Sequence, residues 1–299
     1  NPFRLYLDEL PMWDGIDRLA DLAQRVSTNS AWVKEFHIWM LGMTAQWMGI
    51  MGEHANSVAP LLVSTEQGYL KSTFCKFLLP AALQRYYMDK VDLTSEGRVE
   101  RRLAEIGLLN LDEFDKYPPT KMPLLKNLMQ MASLSLCKAY QKSHRSLPRI
   151  ASFIGISNRK ELLTDPTGSR RFICVMVKRP IDCNGIEHKQ IYAQLKAEIL
   201  SGERYWFTKE EEQVLQKNNL SFYRQGPVED VLRSCYRSVE KGEEGELRSA
   251  AEIFQCLKKK NPSAMRGANP ASLAQILVAV GIERKHTKFG NVYRVVKIG

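Results

Sequence analysis

The 299-residue sequence has no Cys-x-x-Cys pair; its six cysteines, Cys75, Cys137, Cys174, Cys183, Cys235 and Cys256, lie singly in apolar or helical stretches. That spacing provides neither a zinc site nor a disulfide framework, and a reducing cytoplasm is the expected location. A run of eighteen apolar residues is also missing. The most apolar early stretch, "WMLGMTAQWMGIMG", is short and follows Lys34 and Glu35, so neither a membrane span nor a secretory signal is expected. The first residue is Asn1 rather than Met, and a piece of a longer protein is expected. Acid is missing locally. Residues 116–160 carry nine Lys/Arg and no Asp or Glu, and residues 251–299 carry nine against Glu252 and Glu283, within a net charge of +10. Two cation-rich stretches fit two contacts with a polyanion, because clustered cations release its counterions. A solvated basic surface fits the same charges.

With 44% hydrophobic residues the chain can fill a substantial core. Trp32, Phe36, Trp39, Met40, Met43 and Trp47 recur at spacings of three and four, the apolar face of a core helix. From residue 57 the pattern changes to short apolar runs, "SVAPLLVS", "IGLLNLDEFD", "RIASFIGISN" and "RRFICVMVK", separated by helical stretches. Buried strands alternating with helices predict an α/β fold with a parallel sheet and ligands at the carboxyl ends of its strands. Three regions are expected: 1–56 helical, 57–237 the α/β core with a helical extension, and 248–299 a small C-terminal domain beyond the linker "SVEKGEEGEL". In the last, a capping box at Ser249 and Glu252, a second helix and a hairpin around Phe289-Gly290-Asn291 fit a winged helix. A generic small α+β cap fits as well.

The stretch "STEQGYLKSTF" (64–74) ends like a phosphate-binding loop. Lys71 is placed to reach β and γ oxygens, Ser72 to hold Mg²⁺ with Thr73 behind it, and Gly68 to make the tight turn. The general motif asks for glycine where Thr65 and Leu70 stand, so as a pattern the match fails. Its setting between an apolar run and an apolar helix suits the motif; an ordinary strand–turn–helix with a surface lysine has the same setting. Asp112 and Glu113, ending "LLNLDEFD", supply one carboxylate for Mg²⁺ and one to polarise an attacking water. Asn158 ends the third run and is placed to orient that water or touch the γ-phosphate. Arg170 and Arg171, in "DPTGSRRF", are candidates for an arginine finger or for plain salt bridges. Lys138, Lys142, His144 and Arg145 lie at or near the polar tip of an expected hairpin that would hold a single strand through its phosphates. His144 reads as a phosphate contact, since no second metal ligand lies at suitable spacing. Lys285 and Lys288 would be the cations of the C-terminal hairpin.

These residues, with "WDGIDRL", "NSVAPLLVS", "EQGYLKSTFCKFLLP", "LKNLMQM", "LPRIASFIGISNR", "LLTDPTGSRRFICV" and "GERYWFTKEE", resemble the virulence-associated protein E family over about residues 1–223. That family is similar to superfamily 3 helicases of the AAA+ class. The resemblance implies an AAA+-like P-loop NTPase core using ATP and Mg²⁺, working on single-stranded or forked DNA as a homo-oligomeric, hexamer-like ring, often downstream of a primase domain. It places Gly68, Lys71, Ser72 and Thr73 on the triphosphate, Asp112 and Glu113 at Mg²⁺ and water, Asn158 as sensor, and Arg170 or Arg171 as the finger. The departure is Leu70, where the family pattern has glycine. A positive φ there would cost a leucine roughly 1–2 kcal/mol. Two functions therefore stand: an ATP-driven DNA-translocating motor, or a catalytically weak DNA-binding and assembly module on the same fold.

Overall fold

The computed structural model describes residues 1–52, 54–90, 96–137, 144–164, 166–223, 226–240, 242–288 and 290–298. The chain divides into two compact units, 1–223 and 224–299. In the first, helices α1 (Pro2–Asp8), α2 (Arg18–Gln24) and α3 (Ser30–Met48) precede strand β1 (Ala59–Val63). There follow α4 (Lys71–Phe77), β2 (Tyr87–Asp89), α5 (Glu96–Leu103), β3 (Leu108–Leu111) and α6 (Met122–Gln130). The unit continues with β4 (Ser133–Cys137), β5 (His144–Pro148), β6 (Ser152–Ser157), β7 (Phe172–Met176), α7 (His188–Leu200) and α8 (Lys209–Asn218).

Five strands form a parallel sheet in the order β2-β3-β6-β1-β7. After β1 the chain moves to the far edge, returns strand by strand to β6 beside β1, and then adds β7 on the other side. The reversal of order at β1 is where open α/β sheets leave a crevice at their carboxyl ends. All five residues of β1 are buried, as a strand covered on both faces requires. Leu62 packs into the layer that contains α3, α4 and α7, while Ala59, Leu61 and Val63 pack into the layer that contains α5 and α6. Gly155 on β6 has no room for a side chain: a Cβ there would lie 2.6 Å from Leu61 Cδ2 and 3.2 Å from Leu111 Cβ. On the open edge of β7, Asn219 stands in for a further strand, its Nδ2 donating to Phe172 O at 2.8 Å and its Oδ1 accepting from Cys174 N at 3.3 Å.

Helix α3 begins at Asn29, whose side chain accepts from Ala31 N, and stops at Gly49 with φ 75°. Its expected apolar face is buried, and so are Phe3 and Leu7 of α1, in one cluster with Leu62 and Ile154 of the sheet. The expected boundary at 56/57 therefore disappears: helices 1–56 are one layer of the α/β unit, because the sheet face they cover would otherwise be bare. Two buried polar groups fasten this layer. Gln46 of α3 donates to Ala151 O at 2.9 Å and accepts from Asn56 N at 3.0 Å, while Asn56 donates to Trp39 O and Ser152 Oγ. Arg149, 1% exposed, donates to the carbonyls of Met129, Met131, Ala151 and Asn56. Burial pulls its guanidinium down to about 9, and at neutral pH it remains charged.

The second unit holds α9 (Pro227–Cys235), β8 (Tyr236–Ser238), β9 (Glu246–Ser249), α10 (Ala250–Lys260), α11 (Pro270–Ala279), β10 (Glu283–Thr287) and β11 (Gly290–Lys297). β11 pairs antiparallel with β10, β8 and β9. The capping box forms as expected, Ser249 accepting from Glu252 N and Glu252 accepting from Ser249 N. The expected start at 248 moves back, because Val231, Leu232, Cys235 and Tyr236 share the core of Ile253, Leu257, Leu273 and Tyr293. The last two residues of the expected linker, Glu246 and Leu247, belong to strand β9. Among the described residues no helix is long and apolar enough to cross a membrane.

Arg149→Met should leave four carbonyls, three of them buried, without their donor and cost at least about 3 kcal/mol, measurable by urea denaturation. A second expectation concerns His37, whose Nε2 lies 2.6 Å from Glu198 Oε2. Burial opposes its protonation, but Glu198, Asp17 and Glu203 outweigh it and raise its pKa. The added stability is fully present below about pH 6.5 and fades as pH rises through the higher folded value. Denaturation at pH 6 and 8 should show a smaller loss in His37→Gln than in the wild type.

Candidate phosphate-binding site at the carboxyl ends of the strands

The loop after β1 runs from Ser64 to Leu70 and leads directly into α4. Gly68 takes φ 80°, and Leu70 takes φ 57°, ψ 24° in the left-handed region while its side chain stays 47% exposed. The position therefore does ask for the conformation a glycine adopts freely. Lys71, the first residue of α4, is 6% exposed. Its ammonium donates to Ser64 Oγ at 2.5 Å and to Asn158 Oδ1 at 2.8 Å, and burial lowers its pKa. The loop is anchored on β6 by Ser64 N donating to Ser157 O at 3.2 Å, and towards residue 181 by Ile181 N donating to Tyr69 O at 3.2 Å. Among the described residues the side-chain hydroxyls of Ser72 and Thr73 make no hydrogen bond.

Asp112 and Glu113 follow β3, one strand beyond β6. Asp112 is 3.8 Å from Lys90 Nζ and close enough to α4 to help burial raise the Cys75 thiol pKa. Glu113 has φ 53° and pairs with Lys116 at 2.6 Å, which holds its carboxyl below the usual range. Leu70, Lys90 and Glu113, the non-glycine residues with positive φ among those described, follow β1, β2 and β3 on one rim of the sheet. Strain of this kind gathers at ligand sites.

The rim thus brings together Gly68, Lys71, Ser72, Thr73, Asp112, Glu113 and Asn158. It does not include Arg170 and Arg171, which precede β7 at the opposite rim, where Phe172 pairs with Ala59. At about 3.3 Å per residue, roughly 13 Å of strand separates the rims. Arg170 lies 3.6 Å from Glu212; Arg171 is 8% exposed beside Gln130, and burial lowers its pKa. The expected hairpin exists as β4 and β5, with Leu136 opposite Arg145 and Cys137 opposite His144. Lys138 and Lys142 lie outside the described residues, as do the side chains of His144 and Arg145. Lys285 is exposed on β10, 3.9 Å from Glu283, and Lys288 lies in the turn after it. Sequence reasoning missed Lys90 and Asp115, whose partners Asp112 and Ser157 come from other strand ends and leave no local signature, and it missed the role of Ser64, whose hydroxyl meets Lys71 once the loop folds back.

A parallel sheet with its glycine-containing loop and buried lysine at the strand-order reversal defines an α/β protein consistent with a P-loop-like core. The chain belongs to the virulence-associated protein E-like domain family, whose description matches residues 7–224. Residues 225–295 match a second family, described as a domain of unknown function from B. Theta (DUF3874). The two matches meet beside the division between the compact units. No curated protein matches. Among solved structures, the apo structure of the NrS-1 C-terminal region is similar at 12% identity and a TM-score of 0.47, over 98% of this chain and 78% of that one. An A form apo structure of the same region gives the same figures.

Leu70→Gly should remove about 1–2 kcal/mol of left-handed strain, less the roughly 0.4–1 kcal/mol that glycine loses through its freer unfolded state. A rise of about 1–3 °C in the melting midpoint is expected by differential scanning calorimetry.

Proposed function

We propose that this chain is the ATP-hydrolysing core of a DNA-translocating motor of the AAA+, superfamily 3 helicase-like kind, working in replication of a mobile element or phage-like DNA. The observation that carries the proposal is the position of Lys71: a buried ammonium at the central strand end, between Ser64 and Asn158, one strand from Asp112 and Glu113. Lys71 and the loop amides would bind the β and γ phosphates, and Asn158 would sense the γ-phosphate or the attacking water. Glu113 would polarise that water once released from Lys116. The hydroxyl of Ser72 and the carboxylate of Asp112 are the hard oxygen donors that Mg²⁺ prefers, and when bound the ion would neutralise charge on the phosphates. Arg170, half exposed at the far rim, suits a finger offered to the site of a neighbouring copy in a ring, whereas Arg171 is buried against Gln130. The β4–β5 hairpin, and the exposed strand β10 of a winged-helix-like second unit, would contact the phosphates of single-stranded or forked DNA.

A second reading is favoured by Leu70 alone: a DNA-binding and assembly module that has lost efficient ATP use. The two separate in one experiment. The motor predicts Mg²⁺-dependent ATP hydrolysis, stimulated by single-stranded DNA and lost in Lys71→Ala and Glu113→Gln, with Leu70→Gly raising nucleotide affinity about tenfold. Salt-dependent DNA binding without turnover, and turnover appearing only in Leu70→Gly, would establish the module instead.

A further inference from the structure

Asp115 lies two residues beyond Glu113 on the same turn, with its side chain 9% exposed. Its Oδ1 lies 2.8 Å from the hydroxyl of Ser157, and its Oδ2 lies 3.6 Å from Arg159 Nε. Ser157 ends β6 and immediately precedes Asn158. Its hydroxyl has one proton and two acceptors in reach, Asp115 Oδ1 and Arg159 O at 2.9 Å. The anionic carboxylate is the stronger of the two. The same hydroxyl accepts from Arg159 N at 3.0 Å, so the Asp115 carboxylate and the backbone around Asn158 are locked to one oxygen. The Ser157 carbonyl accepts from Ser64 N, and Ser64 holds Lys71. A continuous chain of short polar contacts thus runs from the Asp112-Glu113 turn to the loop lysine.

We infer that Asp115 is a positioning residue for the proposed phosphoryl transfer, a strut that sets the spacing between Glu113 and Asn158. The inference rests on the phosphoryl-transfer reading for its catalytic consequence and on geometry alone for its mechanical one. The Asp115 carboxylate faces Ser157 and Arg159. It acts through Ser157, keeping the group that polarises water in register with the group that senses the γ-phosphate. Misplacement by about 1 Å at such a centre can cost on the order of 100-fold in rate.

In ATP hydrolysis by the full chain, Asp115→Ala should lower kcat about 10- to 100-fold while KM for ATP stays within about twofold, because Lys71 and the loop are left in place. Ser157→Ala should lose a similar factor, and the double variant should be no slower than the slower single one, since both remove the same contact. Asp115→Asn keeps an acceptor for Ser157 and should recover most of the rate. Arg159→Ala, which removes only an exposed pair, should change kcat by less than about threefold. Additive losses in the double variant, or a KM that rises in step with the fall in kcat, would overturn the inference. A nucleotide-free measurement separates its failure from that of the parent reading. Backbone amide exchange in Asp115→Ala should quicken together at 112–116 and 157–159. Unchanged exchange at 157–159 would refute the strut whether or not the wild type turns over ATP, while a wild type without turnover refutes only the phosphoryl-transfer reading.

Discussion

The arrangement at the carboxyl ends of the strands depends on a guanidinium at the other end. Among the described residues Arg149 has no carboxylate partner; it holds four carbonyls, from the end of α6 and the residue after it, the residue before β6 and the segment before β1. Gln46 and Asn56 tie α3 into the same cluster. A buried polar network specifies geometry because every member must be satisfied at once. Here it fixes how β1 enters the sheet beside β6. That register is read out at the opposite rim, where Val63 pairs with Ser157 and the following residues bring Ser64, Asn158 and Lys71 together.

Much of the α/β unit was legible in the sequence. Runs apolar on both faces, such as Ala59–Val63 and Leu108–Leu111, have few alternatives to a covered parallel strand, and they carried Lys71, Asp112-Glu113 and Asn158 to one rim. β2 was illegible: it has three residues, none fully buried, and is a strand only because β3 lies beside it. The helices of residues 1–56 were legible as helices but not as a layer of the same unit, since periodicity identifies an apolar face without naming what covers it. α9 and β8 were likewise assigned to the wrong side of a boundary, because their burial comes from α10, α11 and β11, far along the chain. Asp115 belongs to the same class of miss: it acquires meaning only through Ser157, 42 residues away. Ser64 is a different miss, since its hydroxyl meets Lys71 only seven residues on, but only once the loop has folded back on itself.

Leu70 illustrates how a sequence anomaly changes character once the backbone is visible. The substitution did not convert the loop into an ordinary helix start. The backbone kept the left-handed turn, and the leucine accepted the strain with its side chain directed outward. The penalty is therefore conformational, of the size of a single weak contact, and it bears on the loop's stability as much as on any phosphate beside it.

Lys90 and Glu113 accept the same left-handed strain on the same rim, while the opposite rim is riveted by Arg149. The sheet is thus fastened at both ends of its strands, by Arg149 at one rim and by the contacts linking Asp115, Ser157, Ser64 and Lys71 at the other. A shift imposed on one loop of the carboxyl rim is passed to its neighbours rather than absorbed where it starts, because each loop there shares a hydrogen bond with the next.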